Sequence, residues 1–180
     1  MDRRFCGPLT VSANIEIKAC VAQYDHLRRV VAALSDTTGT RLEQEDTFFH
    51  TTRGRLKLRT YSLTRGELIY YEREDSPGPK PSHYSIIATP EPVALKALLA
   101  AALGVRGIVH KQRLLYMVGQ TRVHLDTVTG LGHFVELEWV MRTGQTVEEG
   151  SQVVAELMQR FAILPADLVT GAYIDLLVPL

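Results

Sequence analysis

Hydrophobic and polar positions along this chain alternate one by one more often than they recur at helical spacing. Over residues 11–19, Asn14, Glu16 and Lys18 fall on one face and Ile15, Ile17 and Ala19 on the other. The same two-residue period returns at 46–51, at 55–59 (Arg55, Lys57 and Arg59 against Leu56 and Leu58), at 67–73, at 82–88 and at 108–116. Side chains alternate across a strand, so each of these segments predicts a strand with a polar or charged face and an apolar one. The pattern is clearest over 122–139. There Arg122, His124 and Asp126 oppose Val123 and Leu125, and Phe134, Glu136 and Glu138 oppose Val135, Leu137 and Trp139. Thr129-Gly130-Leu131-Gly132 between the two runs is turn chemistry.

Helical spacing appears in four places. Tyr24, Leu27, Val30, Val31 and Leu34 form one apolar stripe. Thr89-Pro90 reads as a cap and first turn for a helix carrying Leu95, Leu98, Leu99, Ala102 and Leu103, with Gly104 at its end. Thr146-Val147-Glu148-Glu149 fits a capping box ahead of Val153, Val154, Leu157, Met158 and Phe161. A last short helical pattern runs over 165–177. Loops are predicted at 35–40, at a turn marked by Gly66, at Val118-Gly119, and over 75–81, the only Pro/Gly-rich stretch. Residues 1–10 read as a loose leader. No internal repeat and no dividing linker appears, so 1–180 is expected to be a single α+β domain.

At 180 residues with 46% hydrophobic and 22% charged content, the chain is long enough to bury a core without staples. Its net charge is zero, which disfavours a general nucleic-acid polymer as partner. Cys6 and Cys20 have no metal-ligand spacing and read as inert thiols in a reducing compartment. The N-terminal residues lack the apolar run of a signal peptide and no stretch reaches membrane-spanning length, so a cytoplasmic protein without a membrane partner is expected, as a monomer or homodimer.

Charge placement changes the picture more than charge total. Amphipathic helices need an apolar sheet face to cover, which leaves the opposite faces unusually rich in full charges: Glu16, Lys18, Arg55, Lys57, Arg59, Arg73, Lys111, Arg113, Asp126, Glu136 and Glu138. A solvated face would carry more Thr, Ser and Gln. An antiparallel sheet of about eight strands can instead close into a barrel, with these charges inside. Buried charges are costly unless ions or a ligand answer them. Converging Lys and Arg suit phosphate, and carboxylates beside them make sense when Mg²⁺ or Mn²⁺ bridges both to the same phosphates. His124 falls on the face of Asp126, while the remaining histidines read as surface residues. Phe134 and Trp139 read as packing residues. Neither a P-loop nor a G-x-S-x-G elbow is present.

These residues resemble those of the CYTH superfamily, the triphosphate tunnel metalloenzymes. Asn14-Ile15-Glu16-Ile17-Lys18 is similar to its E-x-E-x-K signature, with Asn in place of the first Glu. Leu56-Lys57-Leu58-Arg59 resembles its paired basic strand. Tyr71-x-Arg73, Lys80-x-Ser82-x-Tyr84 and Lys111-x-Arg113 resemble further phosphate-binding elements. The run from Leu125-Asp126 through Gly130-Leu131-Gly132 to Phe134-Val135-Glu136-Leu137-Glu138 is close to its most specific motif.

The resemblance implies an eight-stranded antiparallel tunnel with outer helices and a metal-dependent reaction on a small-molecule triphosphate. Lys18, Arg55, Lys57, Arg59, Arg73, Lys80, Lys111 and Arg113 are then expected to hold phosphate, and Glu16, Asp126, Glu136 and Glu138 to hold Mg²⁺ or Mn²⁺. Lys18, Glu16 and Arg59 are expected at the chemistry. Hydrolysis of tripolyphosphate, thiamine triphosphate or a nucleoside triphosphate is the first reading. Adenylate cyclase activity is the alternative, although the His-Phe pair that precedes the signature in bacterial class IV cyclases is absent. A binding module without turnover is the third reading, because Asn14 brings an amide oxygen but no charge.

Overall fold

Strands with one charged and one apolar face must satisfy both faces and both edges, and this sheet does so by closing. The computed structural model describes residues 11–177; the expected leader at 1–10, with Cys6, lies outside the described residues. The strands are β1 (Ser12–Cys20), β2 (Thr40–Phe49), β3 (Arg55–Ser62), β4 (Arg65–Arg73), β5 (Lys80–Thr89), β6 (Val105–Val118), β7 (Thr121–Val128) and β8 (Gly132–Val140). They form a closed barrel in the order β1-β5-β4-β3-β2-β6-β7-β8, antiparallel at every pairing. Closure leaves no unpaired edge. The eight-stranded antiparallel barrel with a charged lumen and outer helices is therefore as expected.

The main apolar core lies outside the barrel, between its wall and two helices, α1 (Tyr24–Leu34) and α3 (Val147–Arg160). Ile15, Ile17, Leu125 and Leu137 are fully buried there with Val31 and Val154. Each such side chain contributes about 1.5–3 kcal/mol by leaving water. The capping box is present: the Glu149 N–H donates to Thr146 Oγ1 at 3.2 Å and the Thr146 N–H to Glu149 Oε2 at 2.8 Å. Gly150 lets α3 approach closely, since a Cβ there would stand 2.5 Å from both Ile15 Cγ1 and Trp139 Cε3. This contact fixes the outer faces of β1 and β8, and hence the direction of Glu16 and Glu138 inside.

Several local expectations shift. The strand expected at 46–51 is β2, which runs from Thr40 to Phe49; its first half carries a single apolar residue, Leu42, and so gives no apolar alternation. Gly66 lies within β4, where a Cβ would meet Pro92 Cβ at 2.7 Å and Arg59 O at 2.9 Å; it is a close-packing residue and not a turn. Thr89 ends β5, and Glu91 takes the cap position of α2 (Pro92–Leu103), its N–H bonded to Thr89 Oγ1 at 3.2 Å. The spacing of Leu95, Leu98, Leu99, Ala102 and Leu103 predicts a buried face, yet Pro92 is the helix's only buried residue and Leu98 is 66% exposed. With Lys96 as its sole charge, this helix has no polar side to set its orientation. The last helical pattern resolves into a 3-10 turn (Pro165–Asp167) and a short α4 (Tyr173–Leu177). Between them the Ala19–Leu168 bridge and a Val169 N–H to Lys18 O bond of 2.8 Å lead the chain past the end of β1.

Candidate active site

The barrel encloses a cavity of about 370 Å³. One end is covered by the C-terminal segment, where Ala172, Tyr173 and Ile174 pack with Phe48, Val109, Val128 and Phe134. Asp175 holds α4 there through Arg55 at 2.9 Å and Arg106 at 2.7 Å, and caps its start by accepting from the Ala172 N–H at 2.7 Å. Toward the other strand ends, Leu42, Tyr61, Ile86 and Leu115 join the lining, with Tyr84 beside them.

Ring order decides which charges face each other. β3, β2 and β6 are consecutive and carry Lys57, Arg59, Lys111 and Arg113 into the lumen. Asp46 on β2 sits among them, buried, with Arg59 bound at 2.7 and 2.9 Å, Lys57 at 3.0 Å and Lys111 at 3.4 Å. Burial alone would push its carboxyl up, but Arg59, Lys57 and Lys111 hold it well below the usual carboxylate range. Burial, reinforced by Arg113, pushes the Lys111 ammonium down to about 7. Burial and Arg59 together lower Lys57 as well. Arg113 forks onto Asp126 with two bonds of 2.6 Å and reaches Glu136 at 2.5 Å. The Tyr173 hydroxyl donates to Asp126 at 2.9 Å, and its ring lies 3.9 Å from the Lys18 ammonium.

Across the barrel, β1, β8 and β7 are also consecutive. Their register sets Glu16 beside Glu138 and Lys18 beside Glu136, then His124 beside Glu136 and Arg122 beside Glu138. Glu136 pairs with Lys18 at 3.2 Å in addition to Arg113, and these cations outweigh burial to hold its carboxyl well below the usual range. Glu138 is lowered too, burial being outweighed by His124 and Arg113. Glu16 differs. Although Arg73 binds it at 2.5 Å, burial reinforced by Glu138 and Glu136 keeps its carboxyl raised.

Nine of the sequence-predicted residues line this one cavity: Glu16, Lys18, Lys57, Arg59, Arg73, Lys111, Arg113, Glu136 and Glu138. Three do not. Arg55 faces α4 and the loop, paired with Asp175 and with Asp75 at 2.5 Å. Lys80 donates to Ser76 O, and burial together with Arg73 pushes it down to about 8. Asp126 lies fully buried behind Arg113 and Tyr173. Two participants were missed from sequence. Asp46 was visible as the partner of Gln44 and Phe48 on one strand face once β2 is extended back to Thr40. Tyr173 fell within the helical pattern read over 165–177, but five residues of helix give no sign of which side chain meets the lumen.

The donor set fits a divalent cation. Glu16, Glu136 and Glu138 share one wall, and the last two raise the carboxyl of the first. On that wall Asn14 Oδ1 and His124 Nδ1 are buried without a hydrogen-bond partner among the described residues. Leaving a buried polar group unpaired costs about 1–3 kcal/mol. His124, Glu136 and Glu138 each offer a ligand atom within 4.8 Å of the others.

A tunnel with an acidic wall facing a basic one defines a class, and sequence comparison supplies the family. The CYTH domain profile matches residues 12–173, and the chain belongs to the CYTH family. Its fold is similar to the PH1012 protein of Pyrococcus horikoshii OT3, at 22% identity and a TM-score of 0.79, covering 91% of this chain and 98% of that one. A candidate adenylate cyclase from Vibrio parahaemolyticus is 19% identical with a TM-score of 0.77, covering 96% and 99%. HpAC1 from Hippeastrum, a candidate adenylyl cyclase described by a dominant triphosphatase activity, is 13% identical with a TM-score of 0.61, covering 89% and 91%. At these identities the likeness shows the fold. No curated protein matches the chain.

Proposed function

We propose that this chain is a divalent-metal-dependent triphosphatase whose substrate lies in the tunnel between the two walls. The observation that carries this reading is the opposition of Lys57, Arg59, Lys111 and Arg113 to Glu16, Glu136 and Glu138 within one cavity. Lys18, Lys57, Arg59, Arg73, Lys111 and Arg113 bind phosphate oxygens, while Asp126 orients Arg113 from behind and Asp46, itself in the lining, holds Arg59, Lys57 and Lys111 until phosphate displaces it. Mg²⁺ or Mn²⁺, held by Glu16, Glu136 and Glu138, would supply charge neutralisation at phosphoryl oxygens and a more acidic bound water. Lys18 and Arg59 stabilise charge on the transferred phosphoryl group. Glu16, on the wall that would hold the ion, stands at the chemistry by orienting the attacking water. Asp126 is assigned to positioning Arg113 because two Arg113 bonds and the Tyr173 hydroxyl engage it.

The C-terminal segment covers one end, so the terminal phosphate points toward Tyr173 and the rest of the substrate toward Leu42, Tyr61, Tyr84, Ile86 and Leu115. That apolar and aromatic rim favours an organic triphosphate over the inorganic one. It also favours cyclisation as the second reading, in which a ribose 3′-oxygen attacks the α-phosphorus and pyrophosphate leaves. Incubation with ATP, thiamine triphosphate and tripolyphosphate, each with Mg²⁺ or Mn²⁺ and with products resolved by chromatography, tests this. Orthophosphate with the matching diphosphate is expected. Cyclic AMP with pyrophosphate would establish the second reading, and no turnover of any triphosphate would overturn both.

A further inference from the structure

His124 is the one histidine of the described chain that is buried; His26, His50, His83, His110 and His133 are all exposed. It projects from β7 into the tunnel, opposite Glu136 in the β7–β8 register. Its Nδ1 lies 3.6 Å from Glu136 Oε2 and 3.5 Å from Glu138 Oε1, with no hydrogen-bond partner among the described residues. Those separations are too long for hydrogen bonds, which close at about 2.7–3.2 Å. They are the right length for two ligands of one ion, because atoms each about 2.1 Å from a shared metal stand roughly 3–4 Å from one another. A buried imidazole nitrogen that misses two carboxylates by the same margin is placed for an ion between them.

We infer that His124 is a ligand of the tunnel's divalent cation, so that His124 Nδ1, Glu136 and Glu138 form a nitrogen-and-oxygen site selecting Mn²⁺ over Mg²⁺. The inference rests on the metal-dependent reading of the tunnel and adds a ligand and a selectivity to it. Glu138 is the carboxylate freest to serve, since its cation partner Arg122 is 3.5 Å away, whereas Glu136 is already bound by Lys18 and Arg113. On the same wall the orphaned amide oxygen of Asn14 is a neutral donor. Neutral imidazole and amide donors lower the anionic, all-oxygen character that suits Mg²⁺, while Mn²⁺ accepts nitrogen ligands readily.

The test reads coordination directly. Mn²⁺ is titrated into the full chain, alone and with inorganic tripolyphosphate; loss of the free-ion EPR signal gives the affinity, and pulsed EPR detects ¹⁴N coupling from a bound imidazole. Protein labelled with ¹⁵N-histidine should replace the ¹⁴N signal by the ¹⁵N one. The expected result is an imidazole coupling in the wild type that is lost in His124→Ala and His124→Asn. Mn²⁺ affinity should fall at least about tenfold in both variants, and Mg²⁺ affinity, measured by competition, should change little. Mn²⁺ bound by the wild type without nitrogen coupling, or a coupling that survives His124→Asn, would overturn the assignment and leave a carboxylate metal site standing. Absence of Mn²⁺ binding under both conditions would overturn the metal-dependent reading beneath it. The labelled wild type gives its answer even if a variant fails to fold.

Discussion

Asp46→Asn is the sharpest probe of how the basic wall is held together. Asp46 is buried with Arg59 at 2.7 and 2.9 Å, Lys57 at 3.0 Å and Lys111 at 3.4 Å. Asn keeps the shape and removes the charge, so buried Lys111 and half-buried Lys57 and Arg59 lose their shared counterion. Breaking a buried charge pair costs about 3–5 kcal/mol. In a chain of this size each kcal/mol moves the melting midpoint by about 2–4 °C, so the fall without ligand should be roughly 6–20 °C. Polyphosphate reverses part of it. On the proposed reading Asp46 competes with phosphate for Arg59, Lys57 and Lys111, and in the variant that competition is gone. A tenfold gain in affinity for inorganic tripolyphosphate is about 1.4 kcal/mol, which enlarges the ligand-induced rise in Tm by about 3–6 °C. Acid titration gives an independent check. The native carboxyl of Asp46 lies well below its unfolded value. Its contribution is therefore fully present above the unfolded pKa near 4 and is lost as pH falls toward the depressed native value. Stability of Asp46→Asn should accordingly fall less steeply below about pH 4. Thermal melts monitored by circular dichroism, with and without tripolyphosphate, decide the matter. An unchanged midpoint without ligand, or an equal ligand shift in both proteins, would refute the reasoning.

Gly150→Ala should destabilise by up to about 2 kcal/mol in urea unfolding, because overpacking of about 1–3 kcal/mol is offset by a helix-propensity gain of about 1 kcal/mol; a more stable variant would mean that α3 yields easily against Ile15 and Trp139. The Lys111 ammonium, at about 7, is mostly neutral at pH 8, so binding of tripolyphosphate at that pH should take up a proton. Calorimetry in two buffers of different ionisation enthalpy should show this uptake in the wild type and less of it in Lys111→Met; uptake unchanged in the variant would assign it elsewhere. Asp175→Asn weakens the tie to Arg55 and Arg106 and should cost about 1–3 kcal/mol. Limited proteolysis should then cut the C-terminal segment faster, and equal cleavage rates would show that α4 is held by Tyr173 and Ile174 alone.

The barrel was legible because its strands obey a period of two with full charges on one side, a pattern that an open sheet facing water would not need. Glu16, Lys18, Glu136 and Glu138 could be placed for the same reason. What escaped had weaker local cause. Gln44 and Asp46 sit on a polar strand whose outer face offers no apolar contrast. Tyr173 reaches the lumen through the chain's path after Leu168, which no periodicity encodes. The α2 leucines mislead in the opposite sense, since a helix with one charge displays spacing without a side.

Asp126 shows where sequence reasoning reaches its limit. In sequence it is indistinguishable from Glu136 and Glu138, an acid on the lumen face of a neighbouring strand. In the barrel its register partner on β6 is Arg113, which forks onto both its oxygens, while the Tyr173 hydroxyl also donates to Oδ2. Asp46 is spent in the same way on Arg59, Lys57 and Lys111. Glu138 meets no cation closer than 3.5 Å. The acids thus differ by neighbour: Asp46 and Asp126 are taken up by β3 and β6 cations, Glu136 is shared between Arg113 and Lys18, Glu16 is bound by Arg73, and Glu138 has the longest cation contact of the set. The difference follows from the ring order, which sets β3, β2 and β6 on one arc and β7, β8 and β1 on the other; on the proposed reading, that separation lets a metal and a phosphate share the interior.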